Sequence, residues 1–481
     1  MKRSHSREEA IIRKLWDPIA TRKLAHEFAD IAADALTAKP AVVRRPGSSA
    51  TAMRILRNSS GSRRPSSIVR QVQRASLQLS HPRYLAQQVA APIPAAALVE
   101  AVVAAMNQSL AVWEMSPIAT AIDRQLMTQF KRLFGYPPRS EGTMVPGGAF
   151  GNLTALLAAR ESLEPVRRGK TASRLALIAG EQVHYSVARA AKILGLPREA
   201  VLRVGTDDGY CTDVSRLPKA FASARRAGFR KFILIGSAGS TPTGSVDRLE
   251  TLRTIATREG AWLHVDAAHG AGLAFSEQWR RRLRGIESAD SIAFDPHKMM
   301  FMPLAAGGVL VREGSRLATP LAERAPYLFG SKRRWPDIGQ FAIACSQRFD
   351  ALKIWLAWQA YGAPIWDALV THTCRVCYEA FRYCTRSTIL APLHEPHSNI
   401  LCFCLRRPPT RDTDRMHWQI KEALNESGYG YISSTVLDGR RVLRLVVMNP
   451  QTGIADVEDV LRRIERIATT RHRSVGRSLR V

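Results

Sequence analysis

Short apolar runs at residues 175–179, 232–235, 261–265 and 291–294 punctuate the middle of this chain, and each ends in a polar or glycine-bearing turn. Runs of that length, rich in Ile, Leu and Val, read as buried strands. Between them lie stretches such as LTALLAAR, which follows Asn152 and has the composition of a helix. Strands alternating with helices predict an α/β fold with a mainly parallel sheet. From about residue 370 the pattern changes: NILCFCLR, IKEALNESG, RVLRLVVMNP and VEDVLRRIERIA alternate as strand, helix, strand and helix, the pattern of a small α+β domain. Ahead of both, residues 11–36 carry apolar side chains at helical spacing, and the Ser-, Gly- and Arg-rich residues 46–67 predict a mobile link. Residues 106–134 read as helix, loop and helix, with Pro117 in a first-turn position. The organisation expected is an N-terminal helical arm and basic linker over residues 1–100, a large domain over 101–365, and a small C-terminal domain with a basic tail over 366–481.

A chain of 481 residues with 46% hydrophobic content can bury a large core. No apolar run reaches membrane-spanning length, and MKRSHSREEAIIRKLWD lacks the apolar core of a signal peptide, so a cytoplasmic protein without a membrane segment is expected. Seven sparse cysteines suit reduced thiols. Cys374 and Cys377 have the spacing of half a zinc site, but they fall in a predicted helix and their downstream partners, Cys402 and Cys404, fall in a strand, so no metal is expected. The formal charge of +29 raises the question of nucleic acid. Its arginine-rich segments, 44–74, 279–284 and 471–480, show no aromatic interleaving and no recognition-helix pattern. A solvated basic surface is the better reading, and it can steer an anionic substrate.

The chemistry gathers at strand ends. Asp266 closes the run at 261–265, and Lys298 follows the run at 291–294 just ahead of the apolar Met299-Met300-Phe301-Met302. Ligand chemistry in open α/β sheets sits at such carboxyl ends. A nucleophilic lysine together with a carboxylate able to pair with a protonated ring nitrogen is the combination that pyridoxal phosphate requires. Either residue alone is common in α/β proteins. Pro146-Gly147-Gly148-Ala149 before a strong helix offers backbone N–H groups to a phosphate. It is not the G-x-G-x-x-G of a dinucleotide fold. His184 follows another strand, in EQVHYS.

Taken together, HVDAAHG, DPHKMM, PGGAFGN, EQVHYS, the GSAGSTPTGSVD loop and SHPRYLAQ resemble the group II pyridoxal-phosphate-dependent amino acid decarboxylases, over roughly residues 76–470. The likeness is greatest to the glutamate and cysteine-sulfinate branch, with aromatic amino acid and diaminobutyrate decarboxylases as relatives. The resemblance implies a fold type I enzyme, a homodimer with active sites near the interface, bound pyridoxal phosphate and an L-amino acid substrate. It implies that Lys298 bonds the cofactor aldehyde, that Asp266 holds the ring nitrogen, and that His184 stacks on the ring and helps to stabilise or protonate the reacting carbon. Gly148 and Ala149 would hold the phosphate, and Thr241, Ala268, Asp295 and His297 would complete the cofactor site. Arg444 and His81 would face the substrate, Arg444 on its carboxylate. Within the family's frame, Ala149 stands where many relatives have a hydroxyl, and Ser240 replaces a threonine. Residues 330–347, after Tyr327-Leu328-Phe329, lack the tyrosine that many relatives carry on a mobile catalytic loop. That absence opens an aldehyde-forming alternative. An aminotransferase, lyase or desulfurase of the same fold is a rival reading, and a basic scaffold protein with a fossil site is another.

Overall fold

A computed structural model describes residues 10–38, 42–43, 49–59, 64–165, 174–322, 325, 328–329, 337–406 and 412–478. The first strand, β1 (Tyr84–Leu85), stands apart from the next seven. These are β2 (Glu141–Val145), β3 (Leu175–Gly180), β4 (Val201–Val204), β5 (Lys231–Ser237), β6 (Trp262–Ala267), β7 (Ser291–Phe294) and β8 (Gly307–Val311), in the spatial order β2-β8-β7-β6-β5-β3-β4. All pair in parallel except at β8, which runs antiparallel to both β2 and β7. Every residue of β3, β6, β7 and β8 is buried, as expected of strands covered by helices on both faces. The apolar runs of the sequence therefore became strands, with β7 at the expected limits and β6 extended to include Asp266.

Helices before and around this sheet are α1 (Pro18–Thr37), α2 (Ser49–Ser59), α3 (Pro65–Ala75), α4 (Pro94–Met106), α5 (Pro117–Leu133), α6 (Gly148–Leu163) and α7 (Tyr185–Ile193). α1 starts where expected of Asp17-Pro18: the Asp17 side chain accepts from the N–H of Ala20 and Pro18 sits at the first helical position. Within the mobile link expected over 46–67, residues 49–59 form α2 and 65–67 begin α3, which corrects the expectation there, while residues 46–48 and 60–63 lie outside the described residues. Its Arg, Ala, Met and Leu residues are good helix formers, and they outweigh the serines.

A second sheet of five strands contains β9 (Leu390–Pro392), β10 (Ile400–Leu405), β11 (Tyr431–Leu437) and β12 (Arg440–Val446), in the order β1-β11-β12-β10-β9. β1 joins its edge in parallel, Tyr84 opposite Tyr431. This contact places residues 84–85 on the small sheet and not on a separate arm. Helices α8 (Ala351–Tyr361) and α9 (Pro364–Arg386) lead into this sheet from the large one, and the side chain of Lys353 on α8 is fully buried. Its charge is compensated by Glu100 at 2.7 Å and Asp350 at 3.1 Å, and it also donates to the carbonyl of Ala305. The residues after Lys298 are thus backed by a paired cation.

Candidate active site

Five strand ends, those of β2, β3, β5, β6 and β7, build one pocket at the carboxyl edge of the large sheet, whose wall includes Gly148, His184, Thr241, Asp266, His269 and Lys298. β6 carries Asp266 one residue before its end, and chain alternation turns that side chain away from the apolar Val265 and Ala267. The Asp266 carboxylate accepts from Asn152 Nδ2 at 2.8 Å and from the backbone N–H of Ala268 at 3.1 Å. Lys298 lies in the turn after β7, and its Nζ is 3.1 Å from Asp295 Oδ2. His297 Nε2 is 3.5 Å from the same oxygen, while its Nδ1 accepts from the N–H of Ala306. Burial holds the His297 imidazole below its usual pKa.

α6 points its amino terminus at this pocket, with Gly148 and Ala149 as its first residues. Its leading N–H groups lack partners within the helix. A Cβ at Gly148 would come within 2.7 Å of the Ala268 Cβ and 2.9 Å of Asp295 Oδ2, so the helix can approach this closely only with glycine. Thr241 lies in the loop after β5, which ends at Gly244 in the left-handed region (φ 71°).

His184 caps α7: its Nδ1 accepts from the N–H of Ser186 at 3.3 Å and contacts Ser186 Oγ at 2.8 Å. Its ring lies 4.2 Å from that of Tyr185. Burial lowers the His184 pKa, the Asp266 charge opposes that shift, and Lys298 reinforces it. His184 is therefore neutral near pH 7.

Several pocket residues were not singled out in the sequence. His269 lines the wall, and its Nε2 faces Asn399 Oδ1 at 2.8 Å. The Asn399 amide already donates to the carbonyl of Val447, so the His269 proton is on Nε2. His269 Nδ1 is then a buried acceptor with no hydrogen-bond partner among the described residues. Burial takes its pKa down to about 3. Asn152 and His264 were missed as well. The HVDAAHG motif contains both histidines, but only tertiary contacts distinguish them.

Arg444 and His81 differ from expectation. Arg444 is buried on β12, and four of its N–H groups are engaged: Nε to the carbonyl of Pro242, Nη2 to that of Thr241, and Nη1 to the carbonyl of Ala86 and to Ser433 Oγ. An open two-pronged fork is therefore absent, because the β12 register sets the guanidinium against the loop after β5. His81 is buried, accepts from the N–H of Arg83, and is not among the pocket-lining residues. Tyr327 and residues 330–336 of the expected catalytic loop fall outside the described residues.

The pocket's chemistry fits pyridoxal phosphate group by group. Lys298 supplies an amine, Asp266 a buried carboxylate, α6 an electropositive end for a phosphate, and His269 Nδ1 an unsatisfied acceptor.

Comparison with known proteins agrees. The pattern of the pyridoxal-dependent decarboxylase conserved domain matches residues 68–406. An L-2,4-diaminobutyrate decarboxylase of Rhizobium meliloti is 31% identical over 394 residues, covering 80% of this chain and 77% of that one. An aromatic-L-amino-acid decarboxylase of Bacillus atrophaeus is 29% identical over 74% of this chain and 75% of its own. The acidic amino acid decarboxylase GADL1 of Xenopus tropicalis is 29% identical over 82% and 80%. Among solved structures, mouse CSAD in apo form superposes with a TM-score of 0.86 at 24% identity, covering 94% of this chain and 99% of that one, which is a likeness of fold. With the family pattern spanning residues 68–406 and a relative above 30% identity across 80% of this chain, the protein belongs to the pyridoxal-dependent decarboxylases.

Proposed function

We propose that this pyridoxal-phosphate-dependent amino acid decarboxylase acts on a small acidic L-amino acid: glutamate, aspartate or cysteine sulfinate. The observation that carries the preference is the charge of the pocket and its surroundings. Asp266 is the one carboxylate on the wall among the described residues, and two donors already hold it. The next carboxylate, Asp295, is engaged by Lys298 and His297 and not offered to the side-chain ammonium of diaminobutyrate, and among the described residues the wall has no Phe, Tyr or Trp to pack an aromatic substrate. Behind Thr241, Arg444 is a buried cation whose hydrogen-bond partners among the described residues are all neutral, and an uncompensated guanidinium favours an anion nearby. Assays of CO2 release from acidic, aromatic and diamino substrates test this. Highest kcat/KM on an acidic amino acid is expected, and release from aromatic substrates alone would overturn the preference.

Bound pyridoxal phosphate supplies an electron sink for the bond that breaks. Lys298 would hold the cofactor through its amine and Asp266 would pair with its ring nitrogen, while Gly148 and Ala149 would meet its phosphate through backbone N–H groups. Thr241, Ala268, Asp295 and His297 would frame it. The His184 imidazole would cover one ring face, and to protonate the α-carbon it would first take up a second proton, since only its charged form is a useful acid. Arg444 acts through the loop it fastens, with its one remaining N–H available to a carboxylate. The carbon–carboxylate bond must stand across the ring plane to break, and the pocket's task is to hold it there.

A second copy of the chain is the partner this surface suits. Phe150 and Tyr185, which directly follow the wall residues Ala149 and His184, are 44% and 57% exposed, and Ile343 is 42% exposed. Apolar surface running outward from a pocket mouth favours burial by a protein partner. Among the described residues no helix is long and apolar enough to cross a membrane. All seven cysteines are unpaired, which supports a reducing, cytoplasmic setting.

A further inference from the structure

A continuous line of hydrogen bonds runs beneath the pocket floor from Trp262 to His184, and its direction is determined at one end. Indole N–H can only donate, so Trp262 Nε1 gives its hydrogen to Ser291 Oγ at 2.8 Å. Ser291 then gives its own hydrogen to His264 Nδ1 at 2.9 Å. The Asp266 carboxylate only accepts, so Asn152 turns its Nδ2 there and its Oδ1 to His264, which therefore carries its proton on Nε2 and donates it in a hydrogen bond of 2.9 Å. That contact orients the Asn152 amide, whose two N–H groups go to Asp266 Oδ2 at 2.8 Å and to Ser186 Oγ at 2.9 Å. Ser186, having accepted, donates to His184 Nδ1 at 2.8 Å. Nδ1 is thereby an acceptor, and the His184 proton must be on Nε2, across the ring from Ser186.

We propose that Asn152 is a positioning residue that sets two groups at once: it holds Asp266 as a hydrogen-bonded carboxylate, and through Ser186 it selects the Nε2–H tautomer of His184. Asn152 is 1% exposed and His264 is fully buried, so water does not compete for these bonds. No other residue type of this size serves both ends, because the position needs one acceptor toward His264 and two donors toward Asp266 and Ser186. Neither Asn152 nor His264 needs to touch substrate. The inference rests on the roles proposed above for Asp266 and His184.

Asn152→Asp is nearly isosteric and replaces the two donors by a carboxylate oxygen. Two carboxyl groups about 2.8 Å apart cannot both ionise and would share a proton, which weakens Asp266 as a partner for a ring nitrogen. The Ser186 hydroxyl would turn toward the new carboxylate, leaving only the long contact from the Ser186 backbone N–H, at 3.3 Å, to favour a bare Nδ1 on His184. Ser186→Ala cuts only the arm to His184 and leaves the bond between Asn152 and Asp266 in place. The test uses the full chain loaded with pyridoxal phosphate and labelled with ¹⁵N-histidine, with the His184 signals assigned by His184→Gln. Wild type should show His184 protonated at Nε2. Asn152→Asp should shift it toward Nδ1–H, weaken cofactor binding and lower turnover by roughly 10- to 100-fold, the scale seen when orienting partners of a ligand are removed. Ser186→Ala should weaken the Nε2–H preference and leave the cofactor dissociation constant unchanged. A wild-type His184 protonated at Nδ1 would overturn the proposal, and so would an Asn152→Asp variant with wild-type cofactor affinity and turnover. If the wild type released no CO2 from any amino acid, the substrate reading would fail instead, since the tautomer is read without turnover.

Discussion

Arg444, on the last strand of the small sheet, donates through Nη2 to the carbonyl oxygen of Thr241 at 2.7 Å and through Nε to that of Pro242 at 2.8 Å. One side chain thus fastens the small sheet to the loop that lines the cofactor pocket. Hydrogen bonds from a charged group are worth about 1.5–3 kcal/mol each. Arg444→Met should therefore destabilise the protein by about 3 kcal/mol or more in urea unfolding, because it leaves buried carbonyls without donors. Arg444→Lys keeps the charge without the fork, so it should retain most of the stability but raise KM and weaken cofactor binding. A loss below about 1 kcal/mol for Arg444→Met would mean that the loop is held by something else.

Asp266 is buried and held by two donors, the side chain of Asn152 and the N–H of Ala268. Removing one partner of a buried ion pair costs about 3–5 kcal/mol, and about 1.36 kcal/mol of barrier is tenfold in rate. Asp266→Ala should bind the cofactor and turn over roughly two to four decades more slowly. An unchanged turnover number would assign the ring nitrogen to another group.

Buried histidines predict an acid limit to stability. Burial holds His264 and His394 at about 4 and His269 at about 3. In the unfolded chain each takes up a proton near pH 6.5. Above that pH both states are neutral at these sites and the full stability is present. As pH falls below about 6.5 the unfolded chain binds protons that the folded chain refuses, so stability declines continuously toward pH 3–4. Urea midpoints measured across this window should fall with pH. Equal midpoints at pH 7 and pH 5 would contradict the neutral, buried state of these rings.

Much of the site was legible because it depends on short local patterns. The apolar runs ending in Asp266 and preceding Lys298 declare themselves as buried strands, and a glycine pair before a strong helix marks the amino terminus of α6. Asn152 and His264 carry no such mark. Their partners lie 114 and 27 residues away in sequence, and a lone amide in a helix or a lone imidazole in a strand has no pattern to be read. β1 was missed for the same reason, since two residues become a strand only by pairing with Tyr431 and Ile432. Arg444 was legible as a strand arginine near the site, but the partners of its guanidinium are set by the packing of one sheet on a loop of the other.

The segment from Gly330 to Gln347 contains no tyrosine, and Trp335 cannot substitute because indole N–H has no useful acidity, whereas a phenol has a pKa of about 10. Slow protonation of the α-carbon leaves time for oxygen to intervene. The side reaction expected consumes the amino acid, one O2 and one water, and gives aldehyde, CO2, ammonia and hydrogen peroxide. Product analysis under air should detect aldehyde and peroxide alongside the amine. Amine equal to the CO2 released, with neither by-product, would show that His184 or a group from a second copy delivers the proton in time.

Lys298 is the residue on which the whole account depends, so the most direct measurement is CO2 release from a panel of L-amino acids by the cofactor-loaded wild type beside Lys298→Ala. The wild type should release CO2 from at least one acidic amino acid, and Lys298→Ala should remain folded, release none at a comparable rate, and fail to retain cofactor after borohydride reduction. Normal CO2 release by Lys298→Ala, or none from any amino acid by the wild type, would contradict the account.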